Sequence, residues 1–74
     1  MDLIVDYGTE QYILELKRWY GTKKHEDAYE QLFGYLESMH AEKGYLLTFD
    51  FRKLKKQKME WITYKDKQIF DIIV

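Results

Sequence analysis

The sequence predicts an α/β fold, a mixed β-sheet with ββαβββ order and one helix packed on one face. Three observations predict it. Both ends of the chain alternate polar and apolar residues with a period of two, the middle carries a single stretch of helical period, and a dense apolar run follows that stretch.

The elements follow in order. Asp2, Ile4 and Asp6 alternate with Leu3, Val5 and Tyr7, which reads as a strand, and a second alternating run spans 10–18. Gly8-Thr9 between them suits a type II′ hairpin, because glycine takes the first turn position without steric cost. That turn pairs Tyr7 with Glu10, and therefore Leu3 with Leu14 and Asp2 with Glu15. Leu3, Val5, Tyr12, Leu14 and Leu16 then form the expected core face. Asp2, Ile4, Gln11, Ile13, Glu15 and Lys17 form the other. Residues 20–24 read as a polar connector. From His25 to His40 the apolar positions Ala28, Leu32, Tyr35, Leu36 and Met39 repeat at helical spacing, with Glu26 and Asp27 in the expected first turn. Gly44 marks the expected helix exit. Tyr45 to Phe51 reads as a buried central strand, completing a βαβ unit. Met59 to Tyr64 alternates again, Lys65-Asp66-Lys67 reads as a tight turn, and Gln68 to Val74 reads as the last strand.

The 74 residues form one domain, 1–74, with a small core. Hydrophobic residues at 46% and charged residues at 34% place the chain among globular rather than disordered sequences. The absence of cysteine excludes disulfide scaffolds, thiolate zinc sites and cysteine nucleophiles, and fits a reducing cytoplasm. The acidic start is unlike a signal peptide, and no run approaches the about 18 apolar residues of a membrane span. A net charge of −1 gives no global field for nucleic acid.

The chemistry resides on the polar face of the first hairpin. Glu15-Leu-Lys17 puts a carboxylate and an ammonium on one side of a strand, and the register sets Asp2 across from Glu15. Opposed carboxylates repel, and a divalent cation turns that repulsion into a site, since Mg²⁺ takes one or two carboxylates and fills its shell with water and phosphate oxygens. Lys17 beside them is placed to assist a water nucleophile or steady charge on a phosphate. Glu-x-Lys on an exposed strand is also an ordinary solvated pattern, and spacing by itself leaves both readings open.

Asp2-Leu-Ile-Val-Asp-Tyr-Gly, followed by Tyr12-Ile-Leu-Glu15-Leu-Lys17-Arg-Trp-Tyr-Gly, resembles the core of the PD-(D/E)XK nuclease superfamily. The likeness runs on through Glu30-Gln31-Leu-Phe-Gly-Tyr35-Leu and Lys43-Gly44-Tyr45-Leu-Leu-Thr-Phe-Asp50 to Trp61 and Ile69-Phe70. Within that superfamily the chain is similar to the nuclease-like domain at the C-terminus of bacterial AAA-ATPase-like proteins, related to archaeal-type Holliday junction resolvases. The resemblance implies a partial restriction-endonuclease-like core that binds Mg²⁺ or Mn²⁺ and hydrolyses phosphodiester bonds in DNA. It implies Asp2 and Glu15 as metal ligands, Lys17 as the catalytic lysine, and Gln31 and Tyr35, four apart on a helix, as supporting groups. It also implies a leading helix before Asp2, so that this chain is a fragment, expected to be inactive alone, of a parent with an N-terminal ATPase-like region.

Arg52, Lys53, Lys55, Lys56 and Lys58 form a basic stretch that reads either as a phosphate contact or as a solvated edge whose lysines prevent sheet association. Lys23 and Lys24 are the second nucleic-acid candidates. His40 reads as a dipole partner at the helix end, and Trp19, Trp61 and the seven tyrosines read as core and sheet-covering groups rather than base-stacking platforms. Two functional classes follow: a metal-dependent nuclease domain, or a non-catalytic interaction module that keeps the fold and forms a homodimer through uncovered sheet.

Overall fold

The first hairpin has the expected register: Tyr7 pairs with Glu10, and the ladder runs through Leu3 and Leu14 to Asp2 and Glu15. The computed structural model describes residues 2–7, 10–52 and 57–74, with the backbone alone at 2, 3, 5–7, 10 and 11. In it β1 (Asp2–Tyr7) lies antiparallel to β2 (Glu10–Arg18), α1 (Thr22–Ser38) crosses over, and β3 (Lys43–Phe49) lies parallel to β2. A second hairpin, β4 (Lys58–Tyr64) and β5 (Lys67–Ile73), inserts its later strand beside β3, also parallel. The sheet order is β1-β2-β3-β5-β4, with three parallel strands in the centre and an antiparallel strand at each edge. This is the ββαβββ α/β fold, with α1 packed on one face.

The helix begins at Thr22, three residues before the expected start at His25. Gly21 holds φ 104°, a left-handed value that glycine takes without strain, and its carbonyl accepts the His25 amide at 3.0 Å. The polar residues 22–24 therefore form the first turn, and Glu26 and Asp27 lie beyond it. The exit is His40, not Gly44. His40 takes φ 55° and donates to the Glu37 carbonyl, while the Ala41 amide reaches back to Leu36 at 2.9 Å, the two bonds of a Schellman motif. Gly44 sits inside β3 beneath the helix, where a Cβ would come within 3.1 Å of Leu36 and 3.2 Å of Leu32. A helix this close to the strand needs a residue without a side chain.

The face assignment of the first hairpin is reversed. The helix covers the side of β2 that carries Ile13 and Glu15, exposed by 1% and 4%. Tyr12, Leu14 and Leu16 point to the opposite face and are half-buried. Ile13 joins Ala28, Leu32, Leu36, Leu46 and Ile69 in the core, with Tyr29, Tyr35, Ile62 and Tyr64 packed around it. Met39, at the end of the expected helical stripe, is exposed. Among the described residues no helix is long and apolar enough to cross a membrane.

Candidate functional site

β1 and β2 place the backbone of Asp2 directly across from Glu15, near the carboxyl end of β2. In open α/β sheets ligands gather at the carboxyl ends of the parallel strands. Alternation then puts Glu15 and Lys17 on the same, helix-covered side. Lys17 Nζ lies 3.3 Å from Glu15 Oε1 and donates to Gln31 Oε1 at 2.7 Å. Gln31, expected as a supporting group, thus reaches from α1 to the lysine and fixes its ammonium against the carboxylate. In the neighbouring strand Lys17 pairs with Thr48, whose hydroxyl is buried and has no hydrogen-bond partner among the described residues.

Tyr35 lies on the same helix but packs against the core. Its ring belongs to the structural layer rather than to the contact that joins Glu15, Lys17 and Gln31. Asp2 is placed by register, its side chain lying outside the described groups. Lys23 is exposed and paired with Asp27 at 3.6 Å, one helical turn on. Lys24 lines a cleft of about 240 Å³ at the strand ends, together with Lys17, Trp19, His25 and Gln31. Arg52 grips Asp50 with two nitrogens at 2.7 and 2.9 Å, and that pairing raises the guanidinium further above its ordinary value. Its charge is directed inward, onto a carboxylate that is 2% exposed. Lys53 and Lys55 lie outside the described residues. Lys58, the last of the basic stretch, opens β4 and turns inward to Asp71 at 3.1 Å.

Asp71 is the functional-looking group that sequence reasoning missed. It is fully buried on the helix-facing side of β5, and His25 Nε2 lies 3.0 Å from each of its oxygens. Tyr29 donates its hydroxyl to the same carboxylate, and Lys58 completes the shell. Burial by itself pushes the Asp71 carboxyl up, and the bonds from His25, Tyr29 and Lys58 outweigh it, leaving the group below its ordinary value. Tyr29 is pushed up from 10.0 to about 12, by burial first and by its bond to Asp71 second. The available signal was one acid within the apolar run Ile69-Phe70-Asp71-Ile72-Ile73, since a charge on a covered strand needs partners.

The outer face of the sheet carries an aromatic row across its strands. Tyr12 meets Tyr45 at 6.0 Å between centroids, Tyr45 meets Phe70 at 6.2 Å and Trp61 at 5.6 Å, and Trp61 meets Phe70 at 4.9 Å. The expectation that Trp61 covers the sheet holds in position, although its residue surface is 48% exposed. Comparison of the chain with models of protein families, with curated proteins and with solved structures returns no match.

Proposed function

We propose that this chain is a PD-(D/E)XK-type nuclease domain that binds Mg²⁺ or Mn²⁺ and acts on DNA phosphodiesters. The observation that supports it is the conjunction of the Asp2–Glu15 register with the Lys17 ammonium held between Glu15 Oε1 and Gln31 Oε1. Two sequence-distant segments, the hairpin and the helix, supply the elements that the resemblance implies.

The donor set fits a hard cation. An aspartate and a glutamate paired in register are residue types that offer oxygen ligands, and Mg²⁺ needs few of them from protein because it keeps several waters. The buried Thr48 hydroxyl, one strand from Lys17, is a further polar group without a described partner, suited to bonding an ordered water. Asp2 and Glu15 would hold the ion, which when bound polarises the phosphate and lowers the pKa of its water.

The chain's own residues then have distinct tasks. The Lys17 ammonium offsets charge that grows on the phosphoryl oxygens, and does so best where its position is set in advance. Gln31 sets that position from the helix. Glu15 is buried beside Lys17, so the ion pair is only weakly screened by solvent.

Calorimetric titration of Mn²⁺ tests the reading. Wild type is expected to bind and the Asp2→Asn, Glu15→Gln double variant to lose binding by at least about tenfold, or about 1.4 kcal/mol. Equal uptake by both proteins rejects the site. Nicking of supercoiled plasmid by a longer chain carrying this domain that persists unchanged in Lys17→Ala rejects the catalytic assignment.

A second reading rests on the outer sheet face. Met59 and Trp61 are exposed by 71% and 48% beside the aromatic row, a surface suited to a homodimer or another protein. Sedimentation at rising concentration separates this interaction module from a monomeric nuclease domain, and Trp61→Glu is expected to abolish any dimer.

A further inference from the structure

Beyond Lys17, the carboxyl ends of β2 and β3 carry rings and guanidinium groups in alternation. Arg18 lies 5.6 Å from the Tyr20 ring centroid and 5.3 Å from that of Phe51. Phe51 stacks on Phe49 with an interplanar angle of 14° and a centroid separation of 6.3 Å. On the neighbouring segment Arg52 sits 5.0 Å over Trp19, held there by its grip on Asp50. Tyr20 is 68% exposed and Phe51 72% exposed, so these rings contribute little to the core. The sequence assigned the tyrosines and Trp19 to covering roles, and for Tyr20 that expectation fails.

We propose that Arg18, Tyr20, Phe49 and Phe51 form a stacking platform for unpaired bases of a single DNA strand leading away from the candidate site. The DNA in this statement rests on the proposed nuclease reading, while the platform itself rests on the ring and guanidinium geometry.

Three features select this occupant. Open aromatic faces interleaved with cations are the recognised combination for single strands, because every base has a π-face and every linkage a phosphate. A duplex hides its base faces within its own stack and presents none to a ring. The location also agrees: although Lys17 and Arg18 start from opposite faces of the sheet, Arg18 and Tyr20 line the same strand-end cleft as Lys17 and Gln31, so a strand whose phosphate meets Lys17 reaches the first ring around the end of the sheet. Arg18 pairs with Phe49 across the ladder, which puts a cation beside a ring on the outer face of the sheet. Lys24, on the cleft wall, adds a second cation along the same path. The short basic side of this path gives local attraction to phosphate without a basic net charge, and screening by salt follows from it.

Fluorescence anisotropy of the 74-residue chain with a labelled oligothymidylate of about twelve nucleotides tests the platform, in EDTA and about 50 mM salt so that no metal chemistry intervenes. The single strand is expected to bind at least about tenfold more tightly than a duplex of the same length. Tyr20→Ala and Phe51→Ala are each expected to weaken it by about fivefold or more. Both positions are exposed, so unchanged circular dichroism melts are expected to show intact folding. A third variant, Arg18→Lys, keeps the charge and loses the planar stacking group, and is expected to weaken the single strand while preserving the salt slope. Equal affinity for single strand and duplex, wild-type affinity in both alanine variants, or no binding by the folded chain overturns the proposal. Preference for oligouridylate over oligothymidylate overturns the choice of DNA. A dimer that dissolves in Tyr20→Ala while DNA affinity stays unchanged makes the patch a protein contact and also overturns it. Strand binding that survives when Mn²⁺ uptake is absent retains the platform and rejects the metal site of the nuclease reading, whereas Mn²⁺ uptake without strand binding rejects the platform alone.

Discussion

His25 on α1 and Asp71 on β5 meet beneath the helix, with Nε2 at 3.0 Å from both carboxylate oxygens, although 46 residues separate them in sequence. The pair pins the helix to the strand that completes the parallel centre of the sheet. Tyr29 and Lys58 bond the same carboxylate, so one buried acid joins α1, β4 and β5.

Removing that acid takes the acceptor from His25 and Tyr29 beneath the helix, while Lys58 keeps Glu60 at 3.0 Å. Asp71→Ala is expected to cost about 3–5 kcal/mol, the range seen when one partner of a buried ionic pair is deleted. For a domain of this size each kcal/mol lowers the melting temperature by about 4–8 °C, so thermal denaturation followed by circular dichroism is expected to fall by well over 10 °C. A shift of only a degree or two would show that the cluster is solvated in solution.

The same cluster sets the pH limits of stability. The Asp71 carboxyl is depressed below an unfolded value of about 3.9, so its contribution is present above that pH and is lost as the pH falls through the folded value. Tyr29 is raised from 10.0 to about 12, so its contribution is full below pH 10 and is lost as the pH climbs towards 12. Urea midpoints are expected to fall at both ends, as the pH drops through the folded Asp71 value and as it climbs towards 12. In Tyr29→Phe the alkaline fall should shrink, and one tyrosine fewer should titrate late by absorbance at 295 nm.

Two glycines should respond in opposite directions. Gly34 lies inside α1 with nothing within 4 Å of an added Cβ, so Gly34→Ala is expected to stabilise by about 0.5–1 kcal/mol through helix propensity. At Gly44 an added methyl would meet Leu36 and Leu32, both fully buried, at 3.1 and 3.2 Å. Overpacking there is expected to outweigh the gain in chain stiffness, and Gly44→Ala should cost about 1 kcal/mol, with Gly44→Val costing about 2–3 kcal/mol or more. Chemical denaturation of both variants measures the difference directly.

Gln31 differs from Lys17 in what its loss should do. Gln31 is exposed on the helix surface, so Gln31→Ala is expected to change stability by less than about 0.5 kcal/mol. It should nevertheless release the Lys17 ammonium, which NMR of the lysine side chain would register as faster motion of Nζ. If Lys17 stays equally ordered in the variant, Glu15 holds it without help from the helix.

Local periodicity carried most of the architecture. Alternation, the Gly8-Thr9 turn signal and the single helical stretch determined the element order and, residue for residue, the register that brings Asp2 to Glu15. Element boundaries moved where polar residues began the helix at Thr22 and where His40, rather than Gly44, took the left-handed exit. Which face of the first hairpin is covered was not legible. Both sides hold apolar residues, Ile4 and Ile13 on one and Tyr12, Leu14 and Leu16 on the other, and the helix chooses between them only when it docks.

The sequence by itself therefore determined the α/β class, the order of strands along the chain and the pairing within the first hairpin. These depend on contacts between near neighbours and on a period that repeats every two or every 3.6 residues. Tertiary structure alone decided that Gln31 holds Lys17, that His25, Tyr29 and Lys58 converge on Asp71, and that Arg18, Tyr20 and Phe51 gather at the strand ends. Each of those groupings is made by parallel pairing across the helix crossover or by the insertion of β5 beside β3, long-range steps that leave no periodic trace in the chain.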